Sequence, residues 1–259
     1  MGRYIEYQVE DGIGIARMNK PPANTYDYDF MRDLDQIIEE VRFDDDVKLA
    51  ILGSKLEKFF SAGADVGMLS TSEPDYKAMF CLHCQETLVK MENTPKIWIA
   101  AINGHCVGGG LEIALATDIR LMGRDSGQIG LPEVNLGVLP GTGGTQRLPR
   151  LVGRSLALDM MITGRTISAE EAVKIGLVNY VYETEDLWEK TLEYAGKLAQ
   201  GPAKAIGLIK RSVTEGLEVP LKQGLALERE LQNRLFITED AKEGFSAFME
   251  KRKPVFKGR

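Results

Sequence analysis

An α/β body followed by an all-helical tail is the fold class this sequence predicts, and three observations predict it. Short apolar runs of strand type, glycine-rich turns and stretches with helical spacing succeed one another from the start of the chain to about residue 182. Beyond that point strand signals vanish and helical periodicity takes over. The 259 residues are 44% hydrophobic and 27% charged, with 27 glycines. That is enough to bury a sizeable core and lies near the upper limit for a single one, which favours one large domain with an appendage over two equal domains. The composition shift places a boundary near residue 195, with a body over 1–195 and a helical region over 196–259.

The elements follow in chain order. Residues 4–10 and 12–18 read as two strands, with Asp11-Gly12 between them in hairpin position. After Lys20-Pro21-Pro22, apolar residues Phe30, Leu34, Ile37, Ile38 and Val41 recur at helical spacing, which predicts a helix over 26–43. Residues 48–54 form an apolar run of buried-strand type, followed by an irregular stretch over 59–65. A long helix is expected over 75–92. Strand, glycine turn and helix then recur: 97–102, Gly108-Gly109-Gly110 and 111–117, with 118–122 again strand-like. After a last strand signal over 177–182, helices are expected over 185–200, 202–215, 220–236 and 239–251.

Several function classes are excluded early. Thirty-two basic against 38 acidic residues leave a net charge of −6, which argues against a nucleic-acid coat, because phosphate binding draws its affinity from Lys and Arg. The longest weakly polar stretch, 97–111, is interrupted by Asn103, His105 and four glycines, and falls short of the about 18–20 apolar residues of a membrane span. The opening Met1-Gly2-Arg3-Tyr4-Ile5-Glu6 has neither an apolar signal core nor a Ser or Thr where a myristoylation signal needs one. Three cysteines make no disulfide framework, so a cytoplasmic, reducing location is expected. Cys81, His83, Cys84, His105 and Cys106 are ligand types that suit zinc, but on a helix His83 points away from the face shared by Cys81 and Cys84. Core packing accounts for them, and no metal is expected.

Glycine carries the chemical signal. Gly104-His105-Cys106-Val107-Gly108-Gly109-Gly110-Leu111-Glu112 stands between an apolar strand and a helix. Consecutive glycines there permit a tight turn and a close approach, and the helix start leaves N–H groups free to face an anion or polarise a carbonyl oxygen. Neither this loop nor Gly141-Thr142-Gly143-Gly144 has a dinucleotide-binding or P-loop pattern. Glu112 follows within a turn of Gly109, in a segment otherwise made of Leu111, Ile113, Ala114, Leu115 and Ala116. A carboxylate in such surroundings is costly unless paired or used, and burial raises its pKa toward acid–base values. Glu133 is framed in the same way by Leu131, Pro132, Val134 and Leu136. If the two converge, they form a general acid–base pair able to activate one water. A serine hydrolase is disfavoured, since Gly153-Arg154-Ser155-Leu156-Ala157 lacks the closing glycine of a nucleophile elbow.

These motifs resemble the crotonase superfamily, the enoyl-CoA hydratases and isomerases. The resemblance is carried by Phe60-Ser61-Ala62-Gly63-Ala64-Asp65, by Asn103 through Glu112, and by Leu131-Pro132-Glu133 through Leu148. The stretch Leu158 to Ile175, with Thr163-Gly164-Arg165 and then Ser168-Ala169-Glu170-Glu171-Ala172, and the ending Glu243-Gly244-Phe245-Ser246-Ala247-Phe248 extend it. Five motifs in the family's order cover the chain from about residue 10 to its end. The resemblance implies a spiral of ββα repeats and a helical C-terminal region that mediates trimerisation, often with two trimers stacked into a homohexamer. It implies an acyl-CoA thioester as substrate, with coenzyme A part of that substrate and no separate cofactor. By position, the amides of Ala64 and Gly109 would form an oxyanion hole, and Ala64, Asp65, Val66, Gly67 and Gly109 would line the substrate's path. Both acidic positions are kept, as in hydratases that use two glutamates: Glu112 would take a proton from the attacking water and Glu133 would deliver one to Cα. Phe248 and Lys251 match positions that reach CoA in relatives. The segment Pro21-Pro22-Ala23-Asn24-Thr25-Tyr26-Asp27-Tyr28 departs from the commoner Ala-Leu-Asn pattern and bears on substrate preference. A Δ3,Δ2-enoyl-CoA isomerase, a hydratase specialised for alicyclic or dienoyl substrates, and a non-catalytic RNA- or protein-binding scaffold are the alternatives.

Overall fold

A computed structural model describes residues 4–259; of the opening hexapeptide, Met1, Gly2 and Arg3 lie outside the described residues. Strands β1 (Ile5–Glu10) and β2 (Ile13–Met18) form an antiparallel hairpin. Asp11 and Gly12 between them both take positive φ, the backbone that matches strand twist in a two-residue turn. Helix α1 (Tyr28–Phe43) follows, capped by Asp27, whose side chain accepts from the Phe30 amide at 3.0 Å. Strands β3 (Leu49–Ser54) and β4 (Phe59–Ser61) lead to α2 (Val66–Thr71) and α3 (Pro74–Glu92). Strands β5 (Ile97–Ile102) and β6 (His105–Val107) lead to α4 (Gly109–Leu115), and β7 (Ile119–Gly123) and β8 (Ile129–Gly130) to a 3-10 turn, Glu133–Leu136.

After the β1–β2 hairpin, whose two strands both join the larger sheet, the pairs β3–β4, β5–β6 and β7–β8 each give one strand to each of two sheets. The larger sheet runs β1-β2-β3-β5-β7-β10, where β10 is Tyr180–Tyr182, and is parallel from β2 onward. The smaller runs β4-β6-β8-β9, where β9 is Thr166–Ile167, with β4, β6 and β8 parallel. Period-two alternation divides the larger sheet's buried side chains between two cores. Ala50 and Leu52 face the main core with Phe30, Leu34 and Trp98, whereas Leu49 and Ile51 face a second cluster with Ile99, Leu121 and Leu187.

Between β8 and β10 lie α5 (Gly144–Val152), α6 (Arg154–Thr163) and α7 (Ala169–Lys174). Helix α8 (Leu187–Ala199) covers the second cluster. Residue 195 therefore falls inside a helix that packs on the sheet, and Ala195 is fully buried there. The helices beyond it are α9 (Ala203–Gly216), α10 (Leu221–Phe236) and α11 (Glu239–Met249). Lys210 of α9 is buried and ties this region to the body: its Nζ donates to Asp118 at 2.8 Å and to the Met91 and Lys96 carbonyls. An ion pair this deep is strongly destabilising to break from one side.

Two sequence expectations are refined. The helix expected over 111–117 begins at Gly109, so two of the three turn glycines are helical. The stretch 59–65, read as irregular, contains β4 and the cap of α2.

Candidate active site

The smaller sheet builds the site. Its parallel strands β4, β6 and β8 end side by side, and each releases one of the singled-out segments: β4 runs into Ala64, β6 into Gly109 and Glu112, β8 into Glu133. Carboxyl ends of parallel strands are where α/β folds place ligands, because the following turns expose backbone N–H groups and helix starts.

Gly63 and Gly109 need to be glycine. Gly63 has φ +91°, and a Cβ on it would stand 2.7 Å from the Gly109 amide nitrogen. A Cβ on Gly109 would collide with the Tyr26 hydroxyl, and one on Gly110 with the Ser61 carbonyl. The two loops are thus pressed together backbone to backbone. Tyr26 and Ala64 form an isolated parallel bridge: the Tyr26 amide donates to the Gly63 carbonyl and the Asp65 amide to the Tyr26 carbonyl, both at 2.9 Å. Alternation turns the Ala64 amide to the opposite side, and Gly109, as the first residue of α4, has an amide without an intrahelical acceptor. Asp65 caps α2 by accepting from the Met68 amide at 2.9 Å, while Val66 and Gly67 form the exposed first turn of that helix.

The two glutamates are held differently. Glu112 is 2% exposed, and its Oε1 accepts from the amides of Thr142 and Gly144, each at 2.7 Å. Burial holds its pKa above the usual carboxylate range; those two amides and the Thr142 hydroxyl offset the rise only in part by stabilising the anion. Glu133 has both carboxylate oxygens buried with no hydrogen-bond partner on another residue, and Oε1 faces the Cα of Gly108. Burial raises its pKa to about 7, offset only in part by its own backbone amide, and the nearby Glu112 charge adds to the rise. The structure therefore brings together the two carboxyls that sequence could not place relative to each other. Such a pair has one member equipped to be an anion and one equipped to hold a proton near neutrality.

The loop that grips Glu112 is itself clamped. Arg147 of α5 forms a two-pronged pair with Glu92, Nε to Oε1 and Nη2 to Oε2 both at 2.7 Å, and its Nη1 donates to the Thr142 carbonyl at 3.0 Å. Cys81 and Gln85 on α3 donate to the Gly141 carbonyl at 2.9 and 2.7 Å. Cys84 and Cys106 are buried in the main core. Among the described residues, no group of three His, Cys, Asp or Glu side chains is arranged to hold a metal ion.

The sequence model of enoyl-CoA hydratase/isomerase matches residues 8–259. The chain belongs to this family. A short-chain-enoyl-CoA hydratase of Clostridium acetobutylicum is 37% identical over 245 residues, covering 94% of each chain. An (E)-benzylidenesuccinyl-CoA hydratase of Thauera aromatica is 37% identical, covering 98% of this chain and 99% of that one. The crystal structure of an enoyl-CoA hydratase from Geobacillus kaustophilus superposes with a TM-score of 0.99 at 50% identity, over 100% of this chain and 98% of that one. One from Bacillus anthracis gives 0.95 at 35% identity, over 99% and 100%. The enoyl-CoA hydratase/isomerase family thus accounts for the ββα spiral, and the fold is that of crotonases.

Sequence reasoning missed three residues around this family's glycine loops: Tyr26, Thr142 and Arg147. Thr142 acts through its backbone amide, which no side-chain pattern announces. Arg147 stands inside the motif from Leu131 through Leu148 with nothing in the sequence to single it out, and its partner Glu92 is 55 residues away. Tyr26 stands in the segment 21–28 that departs from the family pattern and at the start of the helix expected over 26–43; that helix begins at Tyr28, and Tyr26 pairs with Ala64 instead.

Proposed function

We propose that this protein is an enoyl-CoA hydratase, adding water reversibly across the 2,3 double bond of an enoyl-CoA thioester to give a 3-hydroxyacyl-CoA. The observation that carries this reading is the unequal pair of buried glutamates: Glu112 gripped by two amides, Glu133 free of partners with a pKa near 7. In the proposed reaction the amides of Ala64 and Gly109 hold the thioester oxygen as it gains charge. Glu112 removes a proton from water as its oxygen bonds to Cβ, and the protonated Glu133 delivers a proton to Cα as the enolate collapses. Protons and electrons balance with one water added, so no redox partner is called for; the two carboxyls supply the base and the acid, and coenzyme A belongs to the substrate in this reading. The 64–67 segment lines the path of that substrate in this reading.

An assembly is part of the proposal. Phe245, Phe248 and Met249 on α11 are 62%, 81% and 79% exposed. Apolar surface of that kind marks an interface, and a homotrimer, or a hexamer of two trimers, is the arrangement proposed. No helix among the described residues is long and apolar enough to cross a membrane, and the three cysteines are free thiols, which fits the proposed cytoplasmic setting. The charge of −6 supports neither nucleic-acid binding nor a scaffold role of that kind.

The test is spectrophotometric. Purified protein should consume the conjugated double bond of a short 2-enoyl-CoA, and Glu112→Gln and Glu133→Gln should each lower kcat at least about 10²-fold. Undiminished rates in both variants would overturn the assignment. Loss of activity in Glu133→Gln alone, with a 3-enoyl-CoA converted normally by Glu112→Gln, would establish the isomerase instead.

A further inference from the structure

We propose that Tyr26 is a positioning residue for this reaction, tying the oxyanion hole to the glutamate that activates water. The inference rests on the hydratase reading and goes beyond it. Two separate contacts carry it. The backbone of Tyr26 brackets Ala64, accepting from the Asp65 amide and donating to the Gly63 carbonyl, so it sets the plane of the amide proposed to face the thioester oxygen. Its side chain reaches the other half of the site: the hydroxyl lies against Gly109 and 3.1 Å from the Thr142 hydroxyl.

Thr142 is also the residue whose amide donates to Glu112 Oε1 at 2.7 Å, beside the Gly144 amide at the same distance. The bond between the Tyr26 and Thr142 hydroxyls therefore holds in place one of the two amides that stabilise the anionic form of the base. Tyr26 is suited to the task because it cannot drift: it is 1% exposed and packed between the rings of Phe30 and Phe80, with centroids at 6.5 and 6.1 Å. Burial holds its phenol well above the usual pKa, so the donor proton is retained across the working pH range. The departing segment 21–28 thus supplies a residue that touches both catalytic halves.

The experiment compares Tyr26→Phe, Thr142→Val, Thr142→Ser and the double variant Tyr26→Phe/Thr142→Val with the parent enzyme. Activity of the parent protein on a 2-enoyl-CoA tests the hydratase reading by itself; the proposal is tested by the ratios among variants. Tyr26→Phe keeps the packed ring, so its thermal midpoint should stay close to that of the parent. Its kcat should fall about 10-fold, the rate equivalent of one neutral hydrogen bond, with KM little changed. The acid limb of its pH–rate profile should move to higher pH, since Glu112 loses support for its charged form. Thr142→Val should reproduce both effects, the double variant should be no worse than either single one, and Thr142→Ser should restore the parent profile. A Tyr26→Phe enzyme with the parent kcat and acid limb, or a double variant whose losses multiply, would overturn the proposal.

Discussion

At the scale of single residues, the account turns on two carboxyls that differ in their surroundings. Glu112 accepts from two amides, while Glu133 has no partner beyond its own residue. Hydrogen bonding therefore separates their roles: burial raises the pKa of both, but only Glu112 has amide donors for its anion, while Glu133 holds its proton up to a pKa of about 7. The pH dependence follows with a definite sign. Hydration needs Glu112 ionised and Glu133 protonated, so kcat/KM for a 2-enoyl-CoA should decline as pH rises through about 7, and Glu133→Gln should lose this alkaline limb along with most of its rate. A parent profile flat from pH 6 to pH 9 would contradict the assignment of Glu133 as the acid. Glu112 and Glu133 were legible in the sequence because a carboxylate among apolar residues and glycines is expensive to bury without a use. Their mutual approach was not, since it depends on strands of three and two residues lying side by side.

Among the elements, those with a sustained apolar period or run were readable, whereas α5, α6 and most of the short strands were not. Helix α1 announces itself through five apolar residues at helical spacing, and β3 and β5 through unbroken apolar runs. Strands β8 and β9 have two residues each, below the length at which alternation means anything, yet with β4 and β6 they make the sheet that presents the site. The clamp on the 141–144 loop belongs to this scale as well. Arg147 meets Glu92 with two prongs and still reaches the Thr142 carbonyl, a geometry that needs a planar guanidinium. Arg147→Lys keeps the charge and loses the fork. Its kcat should drop about 10-fold to 10²-fold through misplacement of Glu112, with substrate affinity changed far less. Equal losses in kcat and in substrate binding would assign the clamp to substrate binding instead of loop geometry.

For the whole molecule, the sequence conveyed an α/β body with a helical tail, and the structure shows how the two are joined. Helix α8 belongs to the body, because Leu187 and Ala195 fill the second core, whereas α9 is fastened by the buried Lys210–Asp118 pair. A boundary drawn from composition falls in α8 because strand signals end before the last body helix does. The tail leaves apolar side chains such as Phe245 and Phe248 in the open. Sedimentation of the purified protein should give a mass of three or six chains, and Phe245→Glu with Phe248→Glu should shift it toward the 28.7 kDa monomer; a parent protein that sediments as a monomer would contradict the proposed assembly. Above all these stands the reaction itself. Mass analysis of the product formed from a 2-enoyl-CoA in isotopically labelled water tests it most directly: hydration yields an intact CoA thioester one water heavier, with the label in its new hydroxyl. A product of unchanged mass, or free coenzyme A with a labelled carboxylic acid, would contradict it.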